Sequence, residues 1–272
     1  MSGALVGTLA PPKIFMLLGK AARHTMITWS YGGGVQTAAI AVLILQNRLP
    51  IPDIAIIADT TRELSSTWEY LDTVVQPALD KIGLQILIAS HEFADVDIYN
   101  GRQVLIPAFT ENRQTGETTR MPTFCSLEWK RDAINRCLRA MGINKTDMWL
   151  GISMDEVERM KPSAVDWVRV VFPLIEMIPL DRKECIALVE DFGWPTPPRS
   201  RCWMCPNQSS KMWLEMAEEL PEEFDKAVQF EQEIQLLAPN VFLHRSLHPL
   251  DEAILGSEEE LLDSCDSGYC YT

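Results

Sequence analysis

The sequence is poor in histidine and in positive charge. Its four histidines are scattered at His24, His91, His244 and His248. A histidine-built metal centre therefore has little to draw on, and each reads first as a surface or packing residue. His91, just after a candidate strand, is the one whose placement points toward a ligand site. Lys and Arg number 24 against 38 Asp and Glu, for a net charge of -14. That balance argues against broad nucleic-acid binding, because neutralising phosphates needs Lys and Arg. Long apolar runs are also missing. The stretch 14–18 is too short to span a bilayer, and the first 22 residues lack the basic region and core of a signal peptide. No internal repeat is visible. These absences lead us to expect a cytoplasmic protein with no membrane partner.

What is present supports a globular enzyme-sized chain. The 272 residues are 47% hydrophobic and 23% charged, enough for one substantial core with an appended part. The acidity is local. Residues 214–272 hold 15 Asp and Glu against 2 Lys and Arg, which leaves 23 acidic and 22 basic residues for the rest. A basic face on the main domain stays open, and residues 121–139 hold 4 Lys and Arg against 2 acids. Seven cysteines, an odd number with one Cys-x-x-Cys pair, suit a reducing compartment better than a disulfide framework.

Periodicity predicts an α/β order. Residues 26–30 read as a buried strand, 35–46 as a helix, and 53–58 as a second strand. A helix over 64–82 with a kink or break at Pro77 follows, then a third strand over 84–89. Apolar strands alternating with helices imply a parallel, doubly wound sheet of about five strands. Residues 92–122 read as a long loop near a site. Then come a helix over 126–141 with Ser126 as N-cap, a strand over 147–151, and an apolar stretch over 170–178 interrupted by Pro173. A helix over 181–192 closes at Gly193, and further helices are expected from 209 and over 222–237. The domains expected are a loose extension over 1–25, a nucleotide-binding α/β domain over 26–198, and a Cys-x-x-Cys segment with an acidic helical part over 199–272.

Two segments carry chemistry. Ser30-Tyr31-Gly32-Gly33-Gly34-Val35-Gln36-Thr37 sits where a strand hands over to a helix. Glycines let backbone N–H groups approach an anion, the helix N-terminus adds partial positive charge, and the hydroxyls of Ser30 and Thr37 can donate to phosphate oxygens. A ligand-free turn is the plain alternative. No Gly-Lys-Ser/Thr follows, so this is not a Walker A loop. The second segment is Arg201-Cys202-Trp203-Met204-Cys205-Pro206, with Cys125 far upstream and Arg199, Arg201 and Lys211 nearby. Thiolates in this spacing suit iron–sulfur clusters or zinc. Redox thiols or buried cysteines are the alternatives. Cys137 is a weaker ligand candidate, and Cys185 reads as core. Trp129 and Trp203, each beside a candidate cysteine, stand out among tryptophans otherwise expected in the core.

The loop resembles the PP-loop of the adenine nucleotide alpha-hydrolases. Its Gly-Gly-Gly-x-Gln form is similar to a branch of the phosphoadenosine phosphosulfate reductase family, with Gln36 where many PP-loop enzymes have Asp. Ala58-Asp59-Thr60-Thr61-Arg62-Glu63 resembles the family's Asp-Thr-Gly-x-Glu stretch. Gly151-Ile152-Ser153-Met154-Asp155-Glu156 with Arg159 resembles its Gly-Ile-x-x-Asp-Glu-x-x-Arg stretch. Phe172-Pro173-Leu174-Ile175 and Gly193-Trp194-Pro195 are further echoes, so that the resemblance spans residues 26–213.

The resemblance implies an ATP pyrophosphatase that adenylates an acceptor for sulfur transfer or a related modification. Ser30, Gly32, Gly33, Gly34, Gln36 and Thr37 would hold phosphates, with Ser30, Gln36 and Asp59 as the catalytic candidates. Asp59 and Glu63 would place Mg²⁺ or the ribose, and Thr60, Gly151 and Asp155 would complete the adenine-nucleotide site. Cys125, Cys202 and Cys205 resemble the ligands of cluster-bearing reductases and thiolases and would hold a 4Fe-4S cluster, or zinc instead. Phe124 replaces one cysteine of the reductase pattern. The reductases' Glu-Cys-Gly-x-His is missing too. Cys265 and Cys270 lie in an acidic tail without a neighbouring His, so sulfonucleotide reduction ranks second. A nucleotide-binding protein without turnover is the other alternative. The acceptor stays open among nucleic acid, small molecule and protein, and so does a homodimer.

Overall fold

The computed structural model describes residues 25–90, 99–100, 103–104, 106–122 and 125–253. The expectations for 1–24, His91, Phe124, Cys265, Cys270 and the acidic tail lie outside them. The central sheet contains β1 (Ile27–Ser30), β2 (Ile54–Ala58), β3 (Ile86–Ala89), β8 (Thr146–Trp149) and β9 (Val168–Val171). Its order is β3-β2-β1-β8-β9, with every pairing parallel. This is the doubly wound α/β sheet expected from the alternating pattern. All four residues of β1 are buried, as befits a central strand covered on both faces. The Thr28 hydroxyl buried there meets that of Thr146 on β8, Oγ1 to Oγ1 at 2.8 Å, and Thr146 Oγ1 also donates to the Met26 carbonyl.

Helix α1 (Val35–Leu45) is apolar all round and buried from Val35 to Ile44, so it serves as the core of one face. It packs on α5 (Arg182–Asp191) and on α3 (Gln76–Leu79). Helix α4 (Asp132–Ala140) covers β2 and β3 on the other face. Helix α5 starts with a capping box, Asp181 and Glu184 each accepting the other's backbone N–H, and ends before Gly193 at φ +90°. Both ends match the sequence expectation.

Four details differ from the pattern reading. The helix expected over 64–82 does not break at Pro77. It begins as α2 (Ser65–Tyr70), widens into a π turn over Leu71–Val75 and continues into α3. The π turn closes with the Gln76 N–H donating to the Leu71 carbonyl, and Pro77 falls in the first turn of α3, where a missing N–H is tolerated. Ser126 is no N-cap. It has helical angles and makes no capping hydrogen bond. The long loop carries short hairpins, β4 (Tyr99–Asn100) with β5 (Gln103–Val104) and β6 (Phe109–Glu111) with β7 (Thr118–Arg120). Strands of two or three residues are too short to show an alternation. The stretch around Pro173 divides into β9 and a π turn over Pro173–Met177.

Helices α6 (Ser210–Glu219) and α7 (Pro221–Leu237) complete the described chain. Trp213, Met216, Ala227, Phe230 and Ile234 share a core with Leu64, Ile106, Trp129 and Ala133. Glu231 is buried within it and accepts the backbone N–H of Leu243 at 2.6 Å and of Leu250 at 2.5 Å. That clamp ties the segment after α7 to the helix. Burial raises the Glu231 carboxyl above the usual carboxylate range, although both hydrogen bonds oppose the rise. Among the described residues no helix is long and apolar enough to cross a membrane.

Candidate functional site

The strand-to-helix loop forms one wall of a cleft at the carboxyl end of the sheet, where open parallel sheets bind ligands. Gly34 is the N-cap of α1. It is extended (φ -105°, ψ -175°) and gives the helix no side-chain cap. The first-turn N–H groups of a helix have no partner inside it, and Val35, Gln36 and Thr37 all line the cleft. Gly33 has φ +78°, and a Cβ there would lie 2.4 Å from Thr67 Cγ2. The glycine is thus required both by conformation and by space. Gly151, after β8, presses on the loop from the other side. A Cβ there would come within 2.7 Å of Thr37 Cγ2 and 3.2 Å of the Thr37 nitrogen. Thr37 donates its hydroxyl to the Gly34 carbonyl at 2.9 Å, which fixes the first turn.

The cleft is cationic within an acidic protein. Lys130, Arg159, Arg182, Arg199 and Arg201 line it, against the carboxylates Glu63 and Glu156. Each carboxylate is held in a network. Gln36 Nε2 donates to Glu156 Oε2 at 3.1 Å and to Ser153 Oγ at 3.3 Å, and Arg159 pairs with Glu156 at 2.7 Å. Burial raises the Glu156 carboxyl above its ordinary value, with Arg159 opposing. Glu63 accepts from Lys130 Nζ at 3.3 Å, from the Ser200 hydroxyl and from Cys202 Sγ at 3.8 Å. Tyr31 also lines the cleft, and its phenol is pushed far up by burial.

Of the residues expected at the nucleotide, Ser30, Gly32, Gly34, Gln36, Thr37, Glu63 and Gly151 line this cleft. Gly33 shapes the loop from behind. Asp59, Thr60 and Asp155 lie outside the lining. Asp59 accepts the backbone N–H of Thr61 at 2.7 Å, stabilising a turn in which Thr61 has φ +56°. Thr60 Oγ1 lies 3.8 Å from Cys202 Sγ, and Asp155 accepts the N–H of Arg182 at the start of α5 at 3.0 Å. Lys130, Glu156, Arg159, Arg182 and Ser200 were not among the expected site residues. Glu156 and Arg159 were in view within the stretch that begins at Gly151. Arg182 and Ser200 carry no local signal.

The cysteine segment abuts this cleft. The Asp59–Leu64 turn pairs with the segment around Cys202: Leu64 donates its N–H to Arg201 at 3.0 Å and Trp203 to Arg62 at 2.8 Å. Cys205 donates its backbone N–H to Cys202 at 3.1 Å, closing the Cys-x-x-Cys turn. The Arg62 guanidinium lies 4.6 Å over the Trp129 ring. Burial lowers its pKa, while charge on Cys202 and Cys125 pulls it back up. Among the described residues none of the cysteines is in a disulfide, and no group of three or more His, Cys, Asp or Glu side chains is gathered as a metal centre. Cys185 is fully buried, its thiol pushed up to about 12 by burial, as a core residue should be. Trp129 is buried and Trp203 stacks edge-on against Phe230 at 5.7 Å.

Comparison with family models and with curated proteins gives no match. Among solved structures the chain is similar to the phosphoadenylyl-sulfate (PAPS) reductase from Candida auris in its phosphate complex. The identity is 14% and the TM-score 0.39, over 63% of this chain and 74% of that one. It is also similar to the U34-tRNA thiolase NcsA from Methanococcus maripaludis with its 4Fe-4S cluster, at 15% identity and a TM-score of 0.41, over 90% of this chain and 80% of that one.

Proposed function

We propose that this chain is an ATP-using enzyme that cleaves between the α- and β-phosphates, adenylates an acceptor and releases pyrophosphate. The observation that carries this reading is the uncapped N-terminus of α1 at Gly34, facing a cleft lined by five cationic side chains. A helix N-terminus with converging cations suits a polyphosphate. The backbone N–H groups of Val35, Gln36 and Thr37 and the hydroxyl of Ser30 would hold phosphate oxygens. Arg159, Arg182, Arg199 and Lys130 would offset the charge that builds as pyrophosphate leaves. Such a site works by positioning and fixed electrostatics. Glu63 is the lining carboxylate on the Asp59 side and would meet Mg²⁺. Asp59, held in its turn, would position the ribose. A sulfur or other nucleophile then displaces AMP from the adenylated acceptor.

The three thiols of Cys125, Cys202 and Cys205 have the donor chemistry of an iron–sulfur or zinc site, with Arg62 offsetting thiolate charge at two of them. Because no ready centre is gathered among the described residues, loading would draw the sulfurs together. When bound, a cluster with three protein ligands would supply an open iron for sulfide. The test has two parts. Anaerobically purified protein should hold about four irons per chain, lost in Cys202→Ala. Zinc, or no metal, makes the thiols structural or redox groups. ATP with candidate acceptors should yield pyrophosphate. Tight ATP binding without pyrophosphate release would favour the second reading, a nucleotide-binding protein without turnover. The placement of Gln36 favours that reading too, its amide being committed to Glu156 and Ser153.

A further inference from the structure

A second cavity of about 230 Å³ lies against the first, between α4 and strands β8 and β9. Its floor is apolar, built from Ile134, Met148, Leu150, Val168 and Val170. Its polar side chains are Arg131, Arg159, Lys161, Asn135 and Ser163, and no carboxylate lines it. An apolar floor with a few convergent polar groups is the usual make-up of a small-molecule site. Arg131 pairs with Asp132 and Arg159 with Glu156, both acids outside the lining, which leaves Lys161 as the third cation of a lining that carries no carboxylate, a balance that favours an anion. Ile134, Leu150, Ile152 and Arg159 line both cavities, so the two meet along one wall. Arg159 is fixed on that wall by its ion pair with Glu156, which also accepts from Gln36 of the first-turn loop.

We propose that this second cavity holds the acceptor, and that the acceptor is a small carboxylate with a ring or branched apolar body. The inference rests on the ATP-cleaving reading of the first cavity and names the substrate class for it. The apolar body packs on Met148, Leu150 and Val170, and the carboxylate lies toward Arg159. One carboxylate oxygen attacks the α-phosphorus of ATP. The new O–P bond forms as the α-phosphorus bond to the bridging oxygen breaks, and pyrophosphate leaves with the electron pair. The products are an acyl adenylate and pyrophosphate, with no proton transferred and no change of oxidation state.

The test uses the full chain and two probes, α,β-methylene-ATP by calorimetry and para-fluorobenzoate by fluorine-NMR line broadening. Both should bind, without competing. Ala164 and Lys161 are exposed residues at the rim, so their variants should fold. Ala164→Trp should weaken fluorobenzoate binding by about tenfold or more and leave the nucleotide analogue untouched, and Lys161→Glu should do likewise while Lys161→Arg keeps binding. Displacement of fluorobenzoate by the analogue, or no broadening in protein that binds the analogue, would overturn the acceptor cavity alone. Failure of the wild type to bind the analogue would instead overturn the ATP reading, and the acceptor role with it.

Discussion

The two halves of the candidate site are built in opposite ways. The backbone of the phosphate-facing half is local: Ser30 to Thr37 are contiguous, and Gly151, Thr67 and Ser200 come close to it from elsewhere. The thiol-facing half is assembled from three distant segments, the Asp59–Leu64 turn, the Cys125–Arg131 region and the Ser200–Cys205 turn. Glu63 joins them through Ser200, Lys130 and Cys202. A locally built half depends on backbone conformation, whereas an assembled half depends on buried polar partners. Substitutions should separate the two.

The largest effect is expected where the loop leans on a buried ion pair. Arg159→Met leaves Glu156 buried without its counter-charge, and should cost about 3–5 kcal/mol in denaturant unfolding. Adding Glu156→Gln should recover much of that loss, and no recovery would mean that Arg159 acts through packing instead. Gly33→Ala should cost about 2–4 kcal/mol, from the left-handed backbone and the clash with Thr67. A smaller loss would show that the loop yields. In the assembled half, Glu63→Ala should cost about 1–3 kcal/mol by leaving Lys130 and Ser200 without their acceptor. It should also speed alkylation of Cys202, and an unchanged alkylation rate would show that Glu63 does not hold that turn.

The smallest effect concerns pH. The Glu231 carboxyl is raised by burial. Its contribution to stability is therefore full below the ordinary glutamate range and is lost as pH rises through the folded-state value. The stability gap between wild type and Glu231→Gln should narrow as pH rises. A gap that widens would reverse the sign.

The same contrast explains what could be read in advance. The alternation of strands and helices and the glycine loop were legible because period and glycine placement are local signals, whereas the strand order and the near-complete burial of α1 come from the packing of the sheet. Asp59 was placed at the nucleotide by resemblance alone, and its carboxylate accepts the Thr61 N–H. Ser126 looked like a cap because a serine preceded a helical pattern, but the helix had already begun. Ser200 and Arg182 become site residues only through chain reversals that no local pattern encodes. Glu156 gains its role from burial beside Gln36 and Arg159, a property of packing.

The most direct test of the phosphate site is calorimetric ATP binding to Gly34→Asp beside Gly34→Ser. Gly34 has an ordinary extended backbone, and a Cβ there meets nothing closer than 3.9 Å, so both variants should fold. Both supply the missing cap to α1 and should raise stability by about 1 kcal/mol or less. The aspartate places negative charge where the phosphates are proposed to sit, so it should weaken ATP binding by about tenfold or more while the serine variant binds nearly as wild type does. Equal ATP affinity in the stable Gly34→Asp protein would contradict the account.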